Sequence, residues 1–272
     1  MTTPHQSPGP LADTIDADLY ALPLDVGGLA RMCLLLVPRN RASDTALLIN
    51  VYKHAHSALT WPQVSAAPRA FLAAGHAVAA IDLPNHGALV DDFGQGLDGL
   101  AAALAAGVDG FASLRAHGRA AVDACLARGV GRPGRVYTAG ASRGGLAALH
   151  LLARDHRVAA AALTCPVTHL PALREFATQA GSRLAAQNSA LALVPHIGRR
   201  PVWIAINRDD TRVSTARCRE FFDALQASQG APAGSVLELF DGEDHNLPDE
   251  GYVQGARWLI AQLEPTVGAR LS

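Results

Sequence analysis

Along the chain, short continuous apolar runs alternate with longer stretches in which apolar residues recur at helical spacing. Thr45–Tyr52, Ala77–Leu83, Arg135–Ala139, Val158–Cys165, Pro201–Ile206 and Ser235–Phe240 each read as a strand. Runs of this length without polar alternation suit strands buried on both faces of a parallel sheet. Between them, Pro62–Ala74 (ended by Gly75), Leu97–Arg128, Gly144–Arg154, Ser214–Gln229 and Glu250–Leu263 carry helical spacing. Leu97–Arg128 holds Gly107 and Gly110 near its middle, which predicts two helices or one broken helix. Ahead of all these, Leu19–Val26 and Leu29–Val37 flank a Gly-Gly pair and predict an antiparallel hairpin.

Regular alternation of strand and helix implies an α/β class, with a doubly wound, mostly parallel sheet and helices on both faces. One stretch breaks the rhythm. Residues 166–200 show helical spacing but no strand, and are expected to form a small helical cap inserted over the site. Its apolar residues Leu170, Leu173, Phe176, Leu184 and Leu191 are expected to pack mostly on the cap itself. Residues 1–17 are rich in Pro and Ser and are expected to be poorly ordered, leaving one folded domain over 18–272.

Composition adds little but narrows the choice. An apolar fraction of 49% with 17% charged residues describes a packed globular protein. The formal net charge of −1 offers no polyanion-binding face, so no nucleic-acid partner is expected. The N-terminus lacks the basic and apolar regions of a secretory signal, and no apolar run approaches a membrane span. The expected location is cytoplasmic, with no membrane partner. Whether copies of the chain assemble with one another stays open. The four cysteines, Cys33, Cys125, Cys165 and Cys218, are scattered without the C-x-x-C spacing of zinc or redox sites, and read as reduced, mostly buried thiols.

The candidate chemistry lies in loops that follow strands. Gly140-Ala141-Ser142-Arg143-Gly144-Gly145 joins an apolar strand to an apolar-periodic helix. A G-x-S-x-G sequence in that setting predicts a sharp turn exposing the Ser142 hydroxyl at a helix N-terminus. Glycine is needed two positions away on either side, where a side chain would meet the neighbouring strand or helix. A serine needs a base, and the base an acid. Asp209-Asp210-Thr211-Arg212-Val213 follows one strand and Asp241-Gly242-Glu243-Asp244-His245-Asn246 follows the last. Both fall at the end of a doubly wound sheet where ligands gather. His245 is the candidate base and Asp210 the candidate acid, because Val213 can then pack on the core while Asp210 faces the loop. Asp209 stays open as the alternative. One of the two could instead cap the helix near Ser214. The backbone N–H of Arg143 is the first candidate oxyanion donor.

These residues resemble the α/β-hydrolase superfamily, and in detail the catalytic domain of the prolyl oligopeptidase group without its propeller. The order Ser142, Asp210, His245 is that superfamily's order. Asp210-Thr211-Arg212-Val213 is similar to the group's Asp-Asp-Arg-Val. Ile49-Asn50-Val51-Tyr52 falls where the group often has a tyrosine at the oxyanion hole, so the resemblance implies Tyr52 as second donor. Lys53-His54-Ala55-His56 replaces the usual glycine-rich turn, and Asp82-Leu83-Pro84-Asn85-His86-Gly87 resembles a loop of small esterases. Lys53, His54, His86 and Cys165 are candidate substrate-binding residues. The implied activity is hydrolysis of a small-molecule acyl substrate, by default a carboxylic ester and alternatively a peptide or amide, with no cofactor and no metal. Two rivals remain. His54-Ala55-His56 could hold a metal, with Asp82, His86, Asp210 and His245 as further ligands. The fold could also serve as a ligand-binding module without chemistry.

Overall fold

The computed structural model describes residues 16–230 and 234–263. The expectation of disorder over 1–17 falls almost wholly outside these residues. At its end it needs correction, because Ala17 already pairs with Pro38 in the first strand.

Eight strands form one sheet in the order β1-β2-β4-β3-β5-β6-β7-β8. β1 (Ala17–Val26) and β2 (Leu29–Pro38) make the antiparallel hairpin, and β2 joins β4 (Ala77–Ile81) antiparallel. From β4 onward the pairs are parallel: β3 (Leu47–Val51), β5 (Val136–Ala141), β6 (Val158–Thr164), β7 (Val202–Asn207) and β8 (Val236–Phe240). β3, β4, β5 and β7 are buried along their whole length, in keeping with their mostly apolar sequences. The chain steps from β3 outward to β4, then returns past β3 to β5. The carboxyl ends of β3 and β5 therefore flank the point where the winding reverses, the place where such sheets open a crevice.

The helix expected over Pro62–Ala74 begins only at Ala66, and a short helix that was not expected precedes it. α1 (Ala55–Thr60) stops at Trp61, which is extended at φ −65° and ψ 124°, and α2 (Ala66–Ala73) follows. Trp61 precedes Pro62, whose ring disfavours helical backbone in the residue before it. The alanine-rich stretch divides into α3 (Gly96–Ala105) and α4 (Gly110–Ala127), bent by 116°. Asp109 starts α4 by accepting from the N–H groups of Phe111 and Ala112. No single helix among the described residues is long and apolar enough to cross a membrane.

α2 packs with α9 (Asp249–Ala261) on one face of the sheet. α4, α5 (Arg143–Arg154) and α8 (Thr215–Gln229) cover the other. Between β6 and β7 the chain makes only 3₁₀ turns and two short helices, α6 (Arg183–Asn188) and α7 (Val194–Ile197). Several bonds tie this segment to the rest of the fold. His150 of α5, fully enclosed, donates through Nε2 to the Asn188 carbonyl at 3.0 Å. Glu175 takes both terminal nitrogens of Arg212, at 2.8 and 3.0 Å, and links the segment to the loop after β7.

Candidate active site

Ser142 sits between the last residue of β5 and the first of α5, at φ 55° and ψ −120°. A non-glycine residue in such a region costs of order 1–3 kcal/mol and persists only where its surroundings enforce it. They do so here. The Ser142 N–H donates to the Thr164 carbonyl at 2.9 Å, and its carbonyl accepts from Val167 N–H at 3.0 Å. The glycines around it are required by close approach. A Cβ on Gly140 would lie 2.2 Å from the Gly144 carbonyl oxygen. One on Gly144 would lie 2.0 Å from the Val51 oxygen, and one on Gly145 2.9 Å from the Pro166 ring. Strand β3, the elbow and the start of the β6–β7 segment thus meet with no space for side chains.

Asp210 follows β7, with its side chain sealed from solvent at 0% exposure. One carboxylate oxygen accepts from the N–H groups of Arg212 (2.9 Å) and Val213 (3.2 Å). The other accepts from His245 Nδ1 at 2.9 Å. His245 Nε2 in turn lies 2.8 Å from the Ser142 hydroxyl. With Nδ1 donating to the carboxylate, Nε2 keeps a lone pair for the serine proton. The neighbouring Asp209 is exposed and makes a backbone bond to Gly242, so Asp210 is the aspartate that meets the imidazole. Val213 is 1% exposed, turned back on the core. The structure therefore brings Ser142, Asp210 and His245 into one hydrogen-bonded line from three loops. Such a line lets an imidazole draw off a hydroxyl proton as the oxygen attacks an electrophilic carbon.

Asn207, the last residue of β7, holds the His245 loop. Its Nδ2 donates to the carbonyls of Asp244 (2.7 Å) and Asn246 (2.9 Å). Sequence reasoning passed over it. The signal was a lone polar residue closing an apolar run.

As the first residue of α5, Arg143 has a backbone N–H without an intrahelical acceptor, beside Ser142. Tyr52 follows β3 directly, its backbone brought against Gly144. A crevice of about 50 Å³ opens here, lined by Tyr52, Trp61, Gln63, Ser142, Cys165, His245, Asn246 and Tyr252. Trp61, Gln63, Asn246 and Tyr252 escaped the sequence reading because no local pattern points them at the crevice.

His54, His86 and Lys53, expected as substrate contacts, are each engaged within the protein. His54 caps α1. Its Nδ1 accepts from Ser57 N–H at 3.2 Å and its Nε2 meets Ser57 Oγ at 2.8 Å, so the ring is committed to its own helix. His56 is the second residue of that helix, and among the described residues neither histidine joins a group of three potential metal ligands. His86 is buried with both nitrogens occupied, Nδ1 by the Pro84 carbonyl (2.8 Å) and Nε2 by Arg143 Nη1 (3.0 Å). Burial also lowers its pKa, which keeps it a neutral acceptor for Arg143. Lys53, at φ 48°, lays its ammonium 5.1 Å from the Tyr52 ring centre and 5.0 Å from that of Trp61. That contact holds it to the crevice's aromatic wall. Cys165 does line the crevice. Burial and the nearby Asp210 carboxylate push its thiol well above the usual range, so it is no nucleophile.

The profile of the Alpha/beta hydrolase family matches residues 51–267. No match is found among curated protein sequences. Among solved structures, the chain is similar to a cold-adapted esterase from an Arctic intertidal metagenomic library. The identity is 21% and the TM-score 0.70, over 92% of this chain and 95% of that one. It is also similar to a puromycin-hydrolyzing peptidase of Mycobacterium tuberculosis, at 17% identity and TM-score 0.67, over 88% of this chain and 38% of that one. Prolyl endopeptidases give 17% identity and TM-score 0.63, over 91% of this chain and 37% of theirs. The likeness to the two peptidases thus spans well under half of their length.

Proposed function

Because the chain belongs to the alpha/beta hydrolase family, we propose that it is a serine hydrolase cleaving a carboxylic ester through an acyl-enzyme on Ser142. One observation carries this reading: a single imidazole bridges a strained serine and a sealed carboxylate at 2.8 and 2.9 Å.

In this mechanism the Ser142 hydroxyl attacks the acyl carbon while His245 Nε2 takes its proton. Asp210 holds the imidazole in the Nδ1–H tautomer and stabilises the imidazolium that forms. The developing oxyanion is held by the Arg143 N–H, reinforced by the helix dipole of α5, and by a donor at Tyr52. His245 then protonates the departing alkoxide, and water repeats the sequence in reverse roles to free the acid. Side chains and water suffice for every step. The segment 166–200 acts as a small cap, and the partner is a small acyl compound. An alkoxide leaves more easily than an amine, which favours the ester over a peptide bond.

The test is labelling with a fluorophosphonate, together with turnover of p-nitrophenyl esters and aminoacyl-arylamides. Wild type is expected to label and to turn over esters faster, and Ser142→Ala to do neither while melting normally. Undiminished turnover in Ser142→Ala would end this reading. Faster cleavage of arylamides would replace the esterase with a peptidase.

A further inference from the structure

Cys165 follows β6 directly, and nothing in the mechanism above uses its thiol. The residue is 2% exposed and sits at φ 42°, a conformation unusual for a side-chain-bearing residue. Its backbone is fixed by a bond of 2.7 Å from its N–H to the Ala205 carbonyl. Its sulfur, a carboxylate oxygen of Asp210 and a ring nitrogen of His245 all lie within 4.8 Å of one another. Among the described residues this is the one such convergence of three His, Cys, Asp or Glu side chains.

We propose that Cys165, Asp210 and His245 form an inhibitory site for a thiophilic divalent cation of the zinc type. The donors are one sulfur, one oxygen and one imidazole nitrogen, a set that suits a borderline-soft ion. The charges also match. A thiolate and a carboxylate together cancel a dication, which matters where Asp210 has no exposure and net charge is costly. A tetrahedral zinc, with bonds of about 2.3 Å to sulfur and about 2.0 Å to nitrogen or oxygen, spaces its donors by about 3.3–3.5 Å. The Nδ1–carboxylate pair, at 2.9 Å, widens slightly to reach that spacing. The sulfur has at most 4.8 − 3.5, or about 1.3 Å, to close. Outside His245, Asp241, Glu243 and Asp244 are exposed on the same loop and draw cations toward it.

Binding switches the site off through a proton. The Cys165 S–H gives its proton to solvent as the sulfur–metal bond forms. The His245 Nδ1 lone pair takes the metal, and the proton formerly on Nδ1 resides on Nε2. One proton is released overall. Nε2 now presents N–H to Ser142 where a lone pair is needed, so the serine keeps its proton.

The inhibition rests on the serine-hydrolase reading, whereas the binding does not, and the experiment separates them. Zinc chloride is titrated into the chelator-treated full chain against a chromogenic zinc indicator, with p-nitrophenyl acetate turnover followed in parallel. Wild type is expected to bind one zinc, to lose turnover along the same occupancy curve, and to recover with EDTA. Cys165→Ala and Cys165→Ser are each expected to bind at least about 100-fold more weakly. A His54→Ala/His56→Ala double variant is expected to bind as wild type does. Wild-type affinity in both Cys165 variants, or loss confined to the double variant, overturns the site. Zinc binding that depends on Cys165 in a protein that never turns over any ester upholds the site and removes the hydrolase reading instead.

Discussion

Replacing Gly144 with alanine sets two effects of known size against each other at the heart of the elbow. Gly144 is the second residue of α5, and alanine exceeds glycine in helix propensity by up to about 1 kcal/mol. Against this gain, the new Cβ would stand 2.0 Å from the Val51 carbonyl oxygen, 2.9 Å from its carbon and 3.2 Å from the Tyr52 Cα. Ordinary contact begins at 3.4 Å, so helix and strand must separate by 3.4 − 2.0, or about 1.4 Å. The obstacle is backbone in a central strand, where Val51 pairs with Gly140, and no rotamer can yield. Overpacking costs about 1–3 kcal/mol, and an obstacle this rigid puts Gly144→Ala at the upper end. The net is a loss of about 2 kcal/mol, or about 4–8 °C in Tm for a chain of this size. The same separation draws Tyr52 away from the Arg143 N–H and should lower ester turnover by about 10² or more. Thermal unfolding and p-nitrophenyl ester kinetics read the two effects separately. Gly181→Ala is the control, because nothing lies within 4 Å of its added Cβ and its stability should stay within about 0.5 kcal/mol. A Gly144→Ala protein that melts at or above the wild-type temperature and keeps its rate would refute the argument, showing helix propensity to outweigh the contact.

Further outcomes follow from other parts of the site. Tyr52→Phe should cost about 10²–10³ in kcat if the hydroxyl is the second oxyanion donor, with KM little changed; an unaltered kcat assigns that donor to backbone. Burial pushes the Glu175 carboxyl up, yet Arg212 outweighs it and holds the group below the usual range. Arg212→Met should therefore leave the Glu175 carboxylate, 8% exposed on its side chain, with only the longer Arg174 contact and cost about 1–3 kcal/mol in urea unfolding, and a loss under 0.5 kcal/mol would show the pair to be idle. Complete burial lowers His150 to about 3, against 6.5 in the unfolded chain. The unfolded state then binds the extra proton, so this contribution is whole above about pH 6.5 and falls by about 1.4 kcal/mol per unit as pH drops toward 3. Urea midpoints of His150→Gln should decline less steeply than wild type between pH 6.5 and 4; parallel curves would count against it.

What the sequence discloses and what it conceals divide along a physical line. Buried parallel strands are apolar on both faces, so β3 to β7 stand out as mostly apolar runs, and the turn Gly140–Gly145 is marked by its own glycine spacing even though Val51 and Pro166, which crowd it, lie far along the chain. Ser142, Asp210 and His245 could each be placed at a strand end from local pattern alone. Even the choice between Asp209 and Asp210 had a local clue in Val213, which must point at the core. The supporting contacts have no such trace. Asn207 acts on carbonyls 37 and 39 residues away, and His86 meets Arg143 across 57. His54 misled for a related reason: an imidazole after a strand suggests a ligand, but here it serves as a helix cap, a role usually taken by Ser, Thr, Asp or Asn. The short helix Ala55–Thr60 was concealed because Lys53-His54-Ala55-His56 reads as a turn after a strand, and only its end at Trp61 is marked, by Pro62.

The segment between β6 and β7 is also closed at its own root. The Val167 N–H donates to the Ser142 carbonyl, the Thr168 carbonyl accepts from Ala190 N–H at 2.8 Å, and Leu170 N–H donates to the Ser189 hydroxyl at 3.1 Å. Residues 169–189 therefore form a loop with a sealed neck, and a swing of that loop would pivot beyond Val167 without dragging the serine along. On the proposed reading, exchange of those residues that keeps Glu175 and Asn188, the partners of Arg212 and His150, should retune which molecules are admitted while the reactive geometry beneath passes unchanged from one variant to the next.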